Sequence, residues 1–557
     1  MKKRPCKRAV KQSGGARPDG RARWRTLSHH GVALPPPYVP HGRPILWRGL
    51  KVQLPPDAEE AITAFVRRGG VIVGGRATLL GSEAPARRFW QDWSRMLPRG
   101  CPIDSLAGCD LSRVVEAALR KKKKKAAGTK AEQDPHASAT VDGKLQPVAP
   151  WAVDRPGVFA GRNASAALSG RYRRRITASD VTINIGRGVA PPAPGGWAAV
   201  VHDATVDWIA RWRDPVTGVV KYARLAPSSA GEQAADLEKY ELARRLHARL
   251  PALRRRAESD LASDSAARRQ LGACLWLIDR LALRVGSGTP EQAARDGAHG
   301  ATTLLRKHVR VASSAVMHLD FPGKDGVRYL RRVRGAPSAL VALVGSPSSS
   351  TNAPLFKGTS AKDVGAAVAE ALPGATPKVL RTCRASETFE RTLFEALPAP
   401  QDKAGARAAE LALLLAGARV AVLCNHRRAV GAVGAVRPAK ASPAGGGPRD
   451  LSTLDAAVVA LTAELASAAA RASPVPAKTV ARLSRSLAET VVRPAGLSLS
   501  TSRSNYVDPR IVFAFYARCG GIQEKGKYFS AALRKRFAWA AETPETFRFA
   551  APAVRAA

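Results

Sequence analysis

The sequence predicts a multidomain α+β protein, and three observations carry that reading. Between residues 151 and 229 short runs alternate apolar and polar side chains between Pro/Gly turns, as half-buried strands do; from 232 onward the spacing becomes that of helices. A Gly/Ala/Pro-rich stretch at 431–451 interrupts the helical part, and two alanine-rich segments follow it. The length of 557 residues allows roughly three or four domains of about 150 residues each.

Residues 1–25 hold ten Lys/Arg and a single acid, Asp19, with almost nothing to bury, so they read as a solvated basic tail. The stiff Pro35-Pro36-Pro37-Tyr38 follows, then a helix over 57–68 with Ala61, Ile62 and Phe65 on one face. Phe89, Trp90 and Trp93 cluster as a core would. A helix is expected from about 111, with the charge run 121–125 at its exposed end, then a low-complexity loop to about 149.

Strands are predicted at 181–185, 208–212 and 219–225, making an antiparallel unit. Leu271, Cys274, Leu275, Ile278, Leu281, Ala282 and Val285 then form one helical face, with Gly286 able to end the helix. The runs 316–321 and 327–333 flank Pro322-Gly323-Lys324-Asp325-Gly326, a hairpin with a lysine at its tip. Helices return to about 424. The segments 451–473 and 477–493, joined by Pro474-Val475-Pro476, read as an antiparallel helix pair projecting from the body. Asp508-Pro509 opens a helix to Cys519, stopped by Gly520-Gly521, and Ser530 opens the last one through Trp539.

Charge narrows the function. There are 89 Lys+Arg against 44 Asp+Glu, a formal net charge of +45, which calls for a polyanionic partner, first of all nucleic acid. No run of about 18 apolar residues suggests a membrane span, and the basic N-terminus has no apolar segment behind it to make a secretory signal. Seven scattered cysteines without a C-x-x-C pair argue against a disulfide framework or a structural zinc and fit a reducing compartment. The histidines offer no H-x-x-x-H set, so no metal is expected. Gly521 to Tyr528 has P-loop spacing but ends in Tyr where Mg²⁺ needs Ser or Thr, so no nucleotide site is expected either.

The string Ser502-Arg503-Ser504-Asn505-Tyr506-Val507-Asp508-Pro509-Arg510-Ile511, with Lys527 and Phe537-Ala538-Trp539-Ala540 after it, sets a tyrosine in a loop where burial does not account for it. This string closely resembles the nucleophile segment of eukaryotic type IB DNA topoisomerases. Further matches follow in family order: Ile278 to Gly286, Phe321 to Tyr329, Pro377 to Thr382, and Val422 to Arg427. Pro36-Pro37-Tyr38, Gly157-Val158-Phe159, Arg173 to Ile176 and Lys221-Tyr222 extend the likeness through the N-terminal half, from about Trp24 to Phe549 overall.

The resemblance implies a monomer that clamps double-stranded DNA. A mixed α/β N-terminal cap (26–230) would face a mainly α catalytic domain (231–430) resembling that of tyrosine recombinases. A linker with the helix pair (431–496) and a small α C-terminal domain (497–557) would complete it. Arg284, Lys324, Arg381, His426 and Tyr506 would be catalytic. Arg162, Arg173, Arg174, Arg175, Lys221, Asp325 and Asn505 would contact DNA, with Arg162, Asp325 and Asn505 also matching the positions that hold camptothecin at the nick. No cofactor, nucleotide or membrane enters, and the expected location is the nucleus, or the site of viral DNA replication for a viral source.

Those residue types suit the implied chemistry. Two arginines can fork onto the non-bridging oxygens of a phosphodiester in transfer, and a histidine can add a hydrogen bond. A phosphotyrosine ester conserves the energy of the broken link, so resealing needs no ATP. A hairpin lysine can protonate the leaving 5′ oxygen. The chain departs from the family pattern at Ala160, where an arginine is usual, at Cys383, where a tyrosine is usual, and in its alanine-rich helix pair. A site-specific tyrosine recombinase shares the Arg/Lys/Arg/Tyr logic, although the β-rich cap and the Ser502-to-Tyr506 spacing speak against it. A silent architectural DNA-binding protein would use only the charge.

Overall fold

The computed structural model describes residues 22–123, 134–161, 167–346, 350–397, 405–427, 450–519 and 528–550. The basic tail to residue 21, the end of the lysine run, the stretch 428–449 and Gly520 to Lys527 lie outside them. The chain divides into two compact units, with the division between Glu232 and Gln233.

The first unit has two cores. One gathers Ile45, Trp47, Ile62, Phe65, Phe89 and Trp93 beneath the helices Pro56–Arg67, Glu83–Trp93 and Ser112–Lys123. Phe65 stacks on Phe89 at 4.7 Å between centroids, and Trp93 lies 6.2 Å beyond, so the aromatic cluster does form a core. The other core, with Leu27, Ile176, Val181, Ile183, Ile209 and Trp212, lies on a four-stranded sheet. Its order is Ala199–Val201, Val181–Asn184, Trp208–Arg213, Val220–Arg224. The sheet is not wholly antiparallel as expected. Ala199–Val201 runs parallel to Val181–Asn184, because the connection 185–198 carries the chain back to the start of the strand instead of turning a hairpin. Short strands such as Leu27–His29 and Ile45–Trp47 escaped the sequence reading.

The second unit is mainly helical around one large core. Central to it is the helix Ala406–Leu423, where Leu411, Leu413, Leu415, Val420 and Val422 are all buried; apolar around most of its circumference, it belongs in an interior. The lysine hairpin stands as predicted: Val316–Pro322 pairs with Arg328–Arg334 from Val316 opposite Arg334 to Pro322 opposite Arg328, and Val309–Ser313 adds a third strand. The helix Ala266–Leu281 stops sooner than the apolar spacing suggested, at Ala282 with φ +48°.

The alanine-rich pair does not project. Leu451, Leu454, Val458, Leu461 and Leu465 of the helix Leu451–Arg471 are buried in the same core as Ala406–Leu423 and Pro377–Ala396. These residues follow a 3-4-3-4 spacing, and such a stripe buries about 1.5–3 kcal/mol per side chain when covered. By length and composition alone this helix could cross a membrane. Its stripe is covered by protein instead, and Asp455 pairs with Arg419 at 3.5 Å while Glu464 pairs with Arg482 across the turn. The second helix, Ala477–Ser486, runs on through a π-helical turn, Leu487–Val492.

Candidate active site

All five candidate catalytic residues belong to the second unit, and the fold brings them together. Arg381 sits in the second turn of Pro377–Ala396, a helix started by Thr376, whose side chain accepts from the amide of Val379. Only 4% exposed, its guanidinium donates through Nε to the carbonyl of Ala282 at 2.7 Å and through Nη1 to the Tyr506 hydroxyl at 2.9 Å.

Tyr506 lies in the turn expected of it, but burial, which the sequence reading discounted, does account for it. It closes a short helix, Leu499–Asn505, and is itself buried, its ring beneath the Arg381 guanidinium and 4.9 Å from the His426 ring. Ser386 of the Arg381 helix ties the following loop down, donating to the Tyr506 carbonyl at 3.1 Å and accepting from the Asp508 amide at 3.0 Å. Asp508 caps the helix Pro509–Arg518 as predicted.

His426 follows the buried helix Ala406–Leu423, and its amide reaches back to the Ala421 carbonyl at 2.8 Å. Its Nδ1 lies 2.8 Å from the hydroxyl of Ser502, which is fully buried, whereas Nε2 has no partner among the described residues. Burial first, then the charges of Arg381 and Arg284, lower its pKa to about 3, so the ring is neutral at physiological pH. Ser502 is the residue that motif reading missed as a participant; its i, i+4 spacing from Tyr506 was the available signal.

Arg284 lies beyond the end of its helix, not in it. The turn at Ala282 sends the chain past Gly300, where a Cβ would come within 2.6 Å of the Arg284 carbonyl, and only glycine permits that approach. Lys324 and Asp325 form the hairpin tip, Asp325 with φ +61°. Arg284, Lys324, Asp325, Arg381, His426 and Thr501 line one cavity of about 190 Å³. Four cationic or hydrogen-bonding groups thus face a single phosphate-sized space, with Tyr506 directly behind Arg381. Asn505 is exposed at the end of its helix, where its side chain donates to the Thr501 carbonyl at 3.1 Å.

The candidate DNA contacts of the first unit are held by carboxylates. Arg173 pairs with Asp214 at 2.8 Å, and Lys221 pairs with Asp154 at 2.7 Å and Asp214 at 3.0 Å. Burial would raise the Asp214 carboxyl, but the amides of Thr217 and Val216 with Lys221 and Arg173 hold it at about 2. Arg174 forks onto Asp180 at 2.6 and 2.8 Å, and Arg175 reaches Glu60 at 2.6 Å. Arg162 lies outside the described residues.

Family models match three stretches: the DNA-binding fragment of eukaryotic DNA topoisomerase I over 22–225, its catalytic core over 228–440 and a C-terminal topoisomerase domain over 494–549. The helix pair falls between the last two. Among curated relatives, DNA topoisomerase 1 beta of Arabidopsis thaliana is 31% identical over 95% of this chain and 60% of its own length. DNA topoisomerase 1 of Rattus norvegicus is 28% identical over 96% and 72%. The chain thus spans about 60% of the length of the Arabidopsis proteins it matches. DNA topoisomerase I, mitochondrial, of Pan troglodytes is 30% identical over 98% of this chain and 95% of its own length. With near-complete coverage in both directions at that identity, the chain belongs to the eukaryotic DNA topoisomerase I family.

Proposed function

We propose that this protein is a type IB topoisomerase that relaxes positive and negative supercoils without ATP. The observation that carries the reading is the Arg381–Tyr506 hydrogen bond beside the unpartnered Nε2 of His426, in one cavity wall with Arg284 and Lys324. Tyr506 Oη attacks the scissile phosphorus and gives its proton to solvent water as the O–P bond forms. Arg284 and Arg381 bear the charge on the non-bridging oxygens. Ser502 donates to Nδ1 of the neutral His426, leaving Nε2–H to donate to the same phosphate. The P–O5′ bond breaks as Lys324 protonates the departing oxygen. The 3′-phosphotyrosyl bond holds one end while the other rotates, and religation reverses the steps.

The partner is double-stranded DNA, bound by a monomer through a cap at 26–230 and a catalytic domain at 231–430 with 497–557, the latter of tyrosine-recombinase type. In the cap the candidate contacts would reach phosphate while still paired, Arg174 being the most open with its side chain 57% exposed. The nucleus is the proposed location. The test is relaxation of supercoiled plasmid in EDTA without ATP: loss of supercoils with a detergent-trapped covalent adduct supports the reading. Binding without relaxation leaves an architectural protein, and recombinant products without relaxation a recombinase.

A further inference from the structure

A second cavity of the same unit, about 330 Å³, lies along the outermost strand of the lysine-hairpin sheet, Arg328–Arg334, and is lined by seven arginines against one carboxylate, Asp455. Four of the seven have acidic neighbours. Arg419 pairs with Asp455 and Glu395, Arg391 with Glu395, Arg384 with Asp279 and Glu387, and Arg280 lies 4.0 Å from Asp279. The guanidiniums of the other three do not, although the backbone amide of Arg332 donates to the Asp450 carboxylate at 3.1 and 3.3 Å. Among the described residues, the guanidiniums of Arg331, Arg332 and Arg334 have no carboxylate within 4.0 Å, and 428–449 contains no Asp or Glu to supply one.

Arg331 is the telling member, since only 8% of it is exposed. Its neighbour is the Tyr329 hydroxyl, which is neutral; a buried guanidinium without a carboxylate is expensive to keep, and such a charge on a cavity wall calls for a counter-ion. Catalysis does not use it, because the active-site cavity is lined by other residues. The volume holds roughly ten water-sized groups at about 30 Å³ each, the scale of a few linked phosphates. A duplex, whose major groove alone is about 12 Å wide, does not fit.

We infer that this cavity binds a compact polyphosphate anion, with Arg331, Arg332 and Arg334 as its principal ligands and the paired arginines as the surrounding field. Planar guanidiniums suit phosphate oxygens, and several negative charges are needed to match three free cations.

The test is calorimetric titration of the full chain with inorganic tripolyphosphate at fixed ionic strength. One saturable site is expected, weakened about tenfold or more in the Arg331→Gln/Arg334→Gln double variant by the loss of charged hydrogen bonds. Arg485→Gln, an exposed site elsewhere, should leave it unchanged. The double variant should melt at or above the parent temperature, having lost a buried unpaired charge, and should no longer be stabilised by tripolyphosphate. Absence of a saturable site, equal weakening by Arg485→Gln, a lower melting temperature, or an equal loss of duplex affinity would each overturn the proposal, the last assigning the arginines to DNA.

Discussion

The Nδ1 atom of His426 and the hydroxyl of Ser502 lie 2.8 Å apart with the serine fully buried, so the ring nitrogen left without a partner among the described residues is Nε2. Ser502→Ala should leave the fold intact but free the imidazole to turn. The lost hydrogen bond is worth about 0.5–1.5 kcal/mol, so single-turnover cleavage should slow roughly threefold to tenfold. Ser502→Thr should recover most of the rate. Wild-type cleavage by the alanine variant would remove Ser502 from this role.

Acid should destabilise the protein through the same ring. His426 titrates near 3 when folded and about 6.5 when unfolded. Between those values the unfolded chain binds the extra proton, so stability falls as pH drops through the window, by up to about 1.4 kcal/mol per unit, and is level above it. His308, lowered to about 4 chiefly by burial, acts in the same direction. Urea midpoints at pH 7 and pH 5 should differ less in His426→Gln than in the wild type. Equal differences would contradict a neutral His426.

Tyr506→Phe should abolish both relaxation and the detergent-trapped adduct while gel-shift affinity persists. The structure adds a stability cost of about 1 kcal/mol, since Arg381 loses its acceptor. An adduct formed by this variant would overturn the assignment of the nucleophile.

Lys324→Ala should slow cleavage of ordinary DNA severely, because the 5′ oxygen would depart unprotonated. A substrate with a 5′-sulfur leaving group needs little protonation and should cleave at near wild-type rate. Equal defects on both substrates would exclude the acid role.

Leu454→Ala should destabilise the second unit by about 2–5 kcal/mol, as a core truncation does. The side chain is 1% exposed. A helix pair standing free in solvent would show almost no effect, so a denaturant titration separates the two arrangements.

The lysine hairpin and the Arg381 helix were legible because alternation, a Pro/Gly turn and a Thr-Pro start are local signals. Tyr506's burial was not, since Leu499–Asn505 has one apolar residue and no periodicity; its helix is held by Ser502 meeting His426, a contact 76 residues apart. The end of Ala266–Leu281 was misplaced because Val285 continues the apolar spacing, whereas the packing of Gly300 on Arg284 decides where the chain leaves. The docking of Leu451–Arg471 was written in its 3-4-3-4 stripe, whereas the short connection and matching lengths of the two segments speak only for a helix pair and not for what covers it.

The hydrogen bond between Arg381 and Tyr506 leaves the proposed nucleophile sheathed. Only 5% exposed, the tyrosine offers little to water, oxidants or stray phosphate esters. The guanidinium that covers it is also one of the two proposed to receive the scissile phosphate. On the proposed mechanism, arrival of the substrate and unveiling of the attacking oxygen would be coupled through one side chain, so that nothing but the substrate arms the phenol.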